Sequence, residues 1–265
     1  MRKHFIDNLR WMDVLLLIPY HAAQAFNCWG ELNYICFTPD RILSSFIVFF
    51  SPFFMPLLFL LAGMSTNYAL KKRSYPQYIA ERTKRLIVPF LFLYDILAVG
   101  GKSFAEYLFV FLIGYYVFSN DALIEKAAKY RYVTLAIGLA AGIADVYMFI
   151  WSGKDYALAN VIAKAFTEWF MILALIGIGK KRLDRAGKLS VYMSQRSFPY
   201  FSFHFLWGVL FQYLFAGISG ADIVLRYLVP VVLSFVVTFI CAEICLRIPI
   251  LCFLTGTKAP EHNKK

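Results

Sequence analysis

Long apolar blocks alternate with short polar segments along the whole chain of 265 residues. An apolar block of about 20 residues is long enough, as a helix, to cross the roughly 30 Å hydrocarbon core of a bilayer. Because lipid offers backbone groups no hydrogen-bond partner, such blocks are expected to be helices. The pattern therefore predicts an all-α fold, a polytopic integral membrane helical bundle of about eight transmembrane helices. The expected spans are 11–26, 42–70, 86–100, 104–118, 132–151, 157–178, 191–215 and 222–246.

Positive charge between the blocks sets the expected orientation of the helices. The formal net charge is +11 at pH 7. Lys and Arg concentrate in the N-terminal segment, in every second loop after it and in the C-terminal tail, whereas the other loops carry few. The positive-inside rule then predicts that both the N-terminus and the C-terminus are cytoplasmic. We expect one transmembrane domain over residues 1–255, followed by a short cytoplasmic tail, 256–265.

Composition supports a membrane location and argues against other classes of protein. Hydrophobic residues make up 60% of the chain and charged residues 16%, whereas a soluble domain carries roughly 25% charged residues. The basic residues flank the apolar blocks, so we expect a lipid bilayer as their partner and no nucleic acid. The expected location is the plasma (cytoplasmic) membrane of a bacterium. Asp13 and Pro19 interrupt the first apolar block, which is not typical of a cleaved signal peptide.

The five cysteines suggest neither a disulfide framework nor a metal centre. They show no paired C-x-x-C or Cys/His spacing of the kind that holds zinc, so no metal is predicted. Free thiols are our interpretation. A disulfide between Cys28 and Cys36 is the alternative, because their shared loop is expected on the oxidising side of the membrane.

His21 is the first candidate for chemistry. It lies about ten residues into the first predicted span, or roughly 15 Å along a helix. An ionisable side chain at that depth is energetically costly and is a functional candidate by default. Imidazole also suits proton transfer near neutral pH. The alternative is a structural histidine that hydrogen-bonds between helices.

Arg82 and Arg85 are the second candidate. They are three residues apart immediately before an apolar block, so on a helix they share one face. Two guanidinium groups on one face suit the recognition of phosphate. The alternative is an anchor at the cytoplasmic membrane surface, of the kind that the positive-inside rule describes.

Other residues within the apolar blocks carry structural expectations. His204 follows the segment 197–203, and we interpret it as a buried imidazole that makes a packing hydrogen bond between helices. Pro52 and Pro56 are expected to kink the second span, and Gly63 is expected to permit close helix packing. No nucleotide-binding loop, zinc-protease motif or nucleophile elbow occurs.

Several segments, taken in order, resemble the membrane acyltransferase 3 family, most closely the branch that includes the glucan biosynthesis protein C type. The first reads Ile-Asp-Asn-Leu-Arg at residues 6–10, and the second begins with His21. The complete set comprises 6–10, 21–25, 55–63, 82–89, 111–115 and 169–179 together with 197–204.

The resemblance implies a membrane-bound O-acyltransferase. Such an enzyme transfers an acyl group, of acetyl or succinyl type, from cytoplasmic acyl-CoA to a hydroxyl of a carbohydrate or cell-envelope acceptor. It implies that His21 is catalytic and that Arg82 and Arg85, which match the family's R-x-x-R motif, bind the CoA phosphates. Arg10 is expected to assist near the same cytoplasmic face. Acyl-CoA is then the donor substrate, with no metal.

The chain also departs from the family pattern. Family members usually have about two more spans, and this sequence has no counterpart of them between residues 94 and 104. An even number of missing spans leaves the remaining orientation intact. The departure leaves two alternatives to a self-sufficient enzyme: an enzyme that needs a second copy, as a homo-oligomer, or a non-catalytic acyltransferase-like protein with a binding or assembly role. A transporter is less favoured, because the chain shows no repeated halves.

Overall fold

All regular secondary structure in the described part of the chain is helical. The computed structural model describes residues 3–71, 74, 76–77, 104–218 and 222–254. The helices are α1 (His4–Gln24), α2 (Arg41–Phe50), α3 (Phe54–Leu70), α4 (Phe104–Tyr116), α5 (Asp121–Val146), α6 (Ala157–Arg182), α7 (Lys188–Ala216), α8 (Val229–Arg247) and α9 (Pro249–Leu254). Two π-helical turns, Tyr147–Trp151 and Val224–Leu228, adjoin α5 and α8. The predicted all-α class is confirmed.

Four helical stretches in the described residues are long and apolar enough to cross a membrane. They are Arg41–Leu70, Asp121–Trp151, Ala157–Arg182 and Val224–Arg247, and they correspond to the second, fifth, sixth and eighth predicted spans. The helices α1 and α7, with 21 and 29 residues, are also long, but polar side chains interrupt their apolar sequence. The predicted third span lies outside the described residues. A total of eight spans and cytoplasmic termini stay predictions.

The second predicted span is broken near its two prolines, as expected. Helix α2 ends at Phe50, and α3 begins at Phe54 after a turn that contains Pro52. A proline within a helix lacks the N–H that would bond to the preceding turn. Pro56 lies in the first turn of α3, where that N–H has no helical partner in any case. The turn between α2 and α3 therefore accommodates Pro52, and the first turn of α3 accommodates Pro56.

The described residues divide into two compact units, and the first comprises 3–13, 23–68 and 104–186. Within it α5 packs along α6, and α3 packs against α4 through two glycines. A Cβ atom on Gly63 would overlap the carbonyl oxygen of Phe111, and one on Gly114 would overlap that of Leu60. The close packing expected at Gly63 is therefore confirmed, and Gly114 is its counterpart on the facing helix.

Among the described residues, the second unit comprises 14–22, 69–71, 74, 76–77, 187–218 and 222–254. Within it α7 packs against α8. Arg196, which is only 8% exposed, forms an ion pair with Glu243 through Nε. The hydroxyl of Tyr192 donates to the same Glu243 carboxylate oxygen. A buried guanidinium needs a paired, hydrogen-bonded anion to be tolerated, so this cluster fastens the two helices together by charge.

Candidate functional site

The second unit brings two histidines together. His21, on α1, is partly buried, and its ring centroid lies 5.3 Å from that of His204 on α7. The two ring planes are tilted by 36°. Phe205 packs edge-on against His21, with 5.2 Å between the ring centroids. The catalytic candidate expected from the sequence therefore has a second imidazole as its neighbour.

His204 has one nitrogen bonded and the other without a partner. The side chain is 3% exposed, and its Nδ1 lies 2.6 Å from the carbonyl oxygen of Phe201. A carbonyl oxygen can only accept a hydrogen bond, so neutral His204 carries its proton on Nδ1 and a lone pair on Nε2. Nε2 is buried and has no partner among the described residues. The hydrogen bond that His204 makes in the described part of the chain lies within α7, and the expected bond between helices is not seen there.

Two polar side chains hold the turn of α1 that carries His21. Gln212, which is fully buried, donates from Nε2 to the carbonyl oxygen of Ala22 at 2.9 Å. The hydroxyl of Tyr227 donates to the carbonyl oxygen of Pro19 at 3.3 Å. Carbonyls in the last turn of a helix lack a helical donor, and Gln212 supplies one. These contacts fix the residues on both sides of His21.

Gln212 and Tyr227 were not predicted from the sequence as supporting residues. A signal was present for Gln212, because an amide inside an apolar span is costly unless it is hydrogen-bonded. No comparable signal singled out Tyr227, since tyrosine is common near the ends of membrane spans.

Arg10 lies in the first unit and is anchored to α3. Its Nη2 donates to Ser65 Oγ at 2.6 Å and to the carbonyl oxygen of Leu61 at 3.4 Å. Its Nη1 lies 3.5 Å from Asp7 Oδ1, and the side chain is 32% exposed. These bonds hold the guanidinium in one position while leaving part of it accessible. The role of Arg10 in binding acyl-CoA stays a prediction.

Asn8 shows that part of the 6–10 segment is structural. It is 4% exposed, and its Nδ2 donates to the carbonyl oxygens of Leu183 and Arg185 at 2.5 and 3.2 Å. Its Oδ1 accepts from Trp11 Nε1 at 3.0 Å. Asp184 in the same loop accepts from the backbone N–H of Phe5 at 3.3 Å. The start of α1 and the loop after α6 therefore fasten each other.

Replacement of Asn8 by alanine is expected to destabilise the first unit without a direct effect on chemistry. The change removes two partly buried hydrogen bonds to the loop carbonyls, each of which contributes about 0.5–1.5 kcal/mol. The measurement is the thermal unfolding midpoint in detergent by tryptophan fluorescence. Asn8→Asp serves as the comparison, because it keeps the oxygen that accepts from Trp11 and loses the donor. An unchanged midpoint in both variants would contradict this role.

Three further expectations have different outcomes. Arg82 and Arg85 lie outside the described residues. Within the described part of the chain, no group of three or more His, Cys, Asp or Glu side chains could hold a metal ion. All five cysteines are free, and Cys28 and Cys36 are exposed, which agrees with the free-thiol interpretation.

Comparison with known families identifies the N-terminal part of the chain. Residues 3–101 match the family model described as the acyltransferase domain of the acyltransferase 3 family. The match includes His21, Arg10, Arg82 and Arg85. No curated protein and no solved structure matches the chain.

The match agrees with the resemblance to the membrane acyltransferase 3 family over residues 3–101 of the 265-residue chain. Together with the four apolar helices, it supports a membrane acyltransferase in general terms. The glucan biosynthesis protein C-like branch stays a prediction. His204 lies beyond the matched residues and reaches His21 only through the fold.

Proposed function

We propose that the protein is an O-acyltransferase of the plasma membrane, with about eight spans and both termini in the cytoplasm. The donor is cytoplasmic acyl-CoA of acetyl or succinyl type, and the acyl acceptor is a hydroxyl of a carbohydrate or cell-envelope molecule. One observation carries the proposal: His21 lies within the matched acyltransferase domain and is positioned beside a second buried imidazole.

The chemistry assigned to His21 is that of a general base. A hydroxyl is a weak nucleophile until its proton is removed, and imidazole is the side chain best matched to that task near neutral pH. His21 takes the proton as the hydroxyl oxygen bonds to the thioester carbon. The bond from that carbon to sulfur then breaks, and the CoA thiolate receives a proton. The products are an ester and free CoA thiol.

Arg82 and Arg85 are assigned the role of binding the phosphates of CoA. Arginine presents a planar fork of N–H donors that pairs with phosphate oxygens, and such charge-assisted bonds are strong. Arg10 is assigned an assisting role on the cytoplasmic side. Its contacts with Ser65 and Asp7 keep its guanidinium ordered before any ligand arrives, which reduces the entropy lost on binding.

Replacement of Arg82 and Arg85 by alanine is expected to weaken acyl-CoA binding at least tenfold, because each lost charge-assisted bond removes about 1.5–3 kcal/mol. The measurement is binding of acetyl-CoA and succinyl-CoA to the detergent-purified protein by calorimetry. The control is the double variant Arg185→Ala/Lys188→Ala, which removes the same charge from another segment predicted to be cytoplasmic.

Three outcomes separate the possible functions. Saturable binding that the Arg82/Arg85 variant loses and the control keeps would support the donor site. Equal loss in both double variants would mean that nonspecific charge holds the ligand. A folded parent that binds neither thioester would overturn the enzyme proposal in favour of a non-catalytic membrane protein.

A further inference from the structure

The buried imidazole of His204 takes no part in the acyl-transfer steps assigned to His21 and the arginines. His204 is 3% exposed, and its Nε2 has no hydrogen-bond partner among the described residues. A buried acceptor without a donor is energetically unfavourable, and most native structures satisfy such atoms. The nearest candidate for chemistry is His21, whose ring centroid is 5.3 Å away. The unsatisfied atom thus lies in the same cluster as the proposed base.

The tautomer of His204 is set by its own helix. The contact of 2.6 Å between Nδ1 and the carbonyl oxygen of Phe201 places the proton on Nδ1. Nε2 is then an acceptor and cannot donate while the ring is neutral. The contact also restricts rotation of the ring, and Phe201 packs against it with 5.6 Å between the ring centroids. His204 is therefore a fixed hydrogen-bond acceptor beside His21.

Catalytic bases commonly need such an acceptor behind them. A base that removes a proton from a hydroxyl becomes a cation, and a third group orients it and stabilises that cation. In the apo state these hydrogen bonds are often long and shorten only when substrate binds. Two imidazoles this close repel each other when both are protonated to cations, so the pair carries one positive charge more readily than two.

We propose that His204 is the positioning residue for His21, accepting a hydrogen bond from the His21 ring through Nε2 as His21 takes the proton of the acyl-acceptor hydroxyl. This inference rests on the proposed acyl transfer. The hydroxyl proton moves to His21, and the resulting positive charge is shared with His204 through an N–H···N bond. The proton then passes from His21 to the CoA thiolate, and both imidazoles return to the neutral state.

Aromatic rings pack against both histidines. The described ring neighbours of the pair are aromatic: Tyr20 and Phe205 at His21, and Phe201 at His204. The carboxylate of Glu243, in the same unit, forms an ion pair with Arg196 and accepts a hydrogen bond from the Tyr192 hydroxyl. Glu243 is therefore committed to the contact between α7 and α8.

Two substitutions separate the acceptor from the rest of the side chain. Asparagine in His204→Asn places an amide N–H near the position of Nδ1, so it keeps a donor for Phe201 and removes the acceptor at Nε2. Glutamine in His204→Gln places its amide oxygen near the position of Nε2, so it keeps an acceptor there and loses the bond to Phe201. If His204 is only structural, the bond to Phe201 matters and His204→Asn should be the better tolerated variant. If His204 positions His21, the acceptor at Nε2 matters and His204→Gln should be the better tolerated variant.

The test measures transfer of a labelled acetyl group from acetyl-CoA to bacterial envelope glycan, in the full-length protein. We expect His204→Asn to lower kcat by about 10²–10³-fold with an unchanged KM for acetyl-CoA, within the range for loss of acid–base function. His204→Gln is expected to retain at least tenfold more activity than His204→Asn. Thermal unfolding midpoints confirm that each variant is folded. Equal activity of the two folded variants, at any level, would overturn the proposal.

A second measurement does not depend on turnover. ¹⁵N spectra of histidine-labelled protein report which nitrogen of each ring carries the proton. The chain has four histidines, so single substitutions assign every signal. We expect His204 as the Nδ1–H tautomer, and His21 signals that shift in His204→Asn but stay near the parent values in His204→Gln.

The transfer assay and the ¹⁵N spectra distinguish a failure of the proposed function from a failure of the proposed histidine pair. A parent without transfer activity but with these spectra would overturn the proposed function and retain the histidine pair. An Nε2–H tautomer of His204, or a His21 spectrum that ignores both substitutions, would overturn the pair even if the parent transfers acetyl groups.

Discussion

Acyl transfer is expected to fall by about 10²–10⁴-fold when His21 is replaced by alanine, the range over which a general base contributes to catalysis. Binding of acyl-CoA should be unchanged, because the assigned donor site is Arg82 and Arg85. The loss should therefore appear in kcat, with little change in KM for the donor. Release of CoA is best followed by chromatography, because Cys28 and Cys36 are exposed and would react with thiol reagents.

His4 provides a matched control on the same helix. His4→Ala makes the same chemical change at the first residue of α1, outside the unit that holds the histidine pair. It should leave transfer within about twofold of the parent, an energy difference below 0.5 kcal/mol. Full transfer activity in a folded His21→Ala variant would show that His21 is not the base. Loss of folding in that variant would instead be seen as a lowered unfolding midpoint.

The second large effect is expected at the crossing of α3 and α4. A Cβ atom on Gly63 would overlap the Phe111 carbonyl oxygen and lie 2.9 Å from the backbone nitrogen of Tyr115. Backbone atoms cannot rotate away, so the helices must separate. Gly63→Ala should cost about 1–3 kcal/mol, as overpacking usually does, although alanine favours the helical state by about 1 kcal/mol. The expected result is a clearly lower unfolding midpoint.

Gly208 is the matched control for this substitution. It lies in α7, and a Cβ atom there would meet no atom of the described residues within 4 Å. Gly208→Ala should hold or raise the unfolding midpoint, because only the helix propensity of alanine contributes. Gly114→Ala should resemble Gly63→Ala, since it meets the Leu60 carbonyl oxygen from the facing helix. Equal midpoints for Gly63→Ala and Gly208→Ala would show that the two helices do not cross closely.

The fold class and several local features followed from the sequence for identifiable reasons. Long apolar runs without alternation predict membrane helices, because lipid leaves the backbone no other partner. The break between α2 and α3 follows from Pro52, which cannot donate a helical hydrogen bond. Gly63 indicated a close helix contact because only a residue without a side chain permits one. The family resemblance rested partly on segments that the matched residues 3–101 include, whereas its later segments, 111–115, 169–179 and 197–204, lie beyond the match.

The partners of the buried polar residues could not be predicted from the sequence. A helix that is apolar on most sides shows no clear periodic stripe, so the sequence does not reveal which face meets another helix. His21 and His204 are therefore individual candidates in the sequence and become a pair only in the fold. The same holds for Gln212 with Ala22 and for Arg196 with Glu243.

The amino-acid sequence was sufficient to predict apolar membrane helices, with a kink and a close helix contact in the second of them, because these properties depend on composition and on the local chemistry of single residues. The family resemblance made His21, Arg82 and Arg85 candidates for acyl transfer. Only the folded chain shows that His204 lies beside His21, with its Nδ1 bonded and its Nε2 without a partner among the described residues. The reason is physical: a hydrogen bond or a ring contact depends on which helix faces pack together, and distant parts of the chain set that packing.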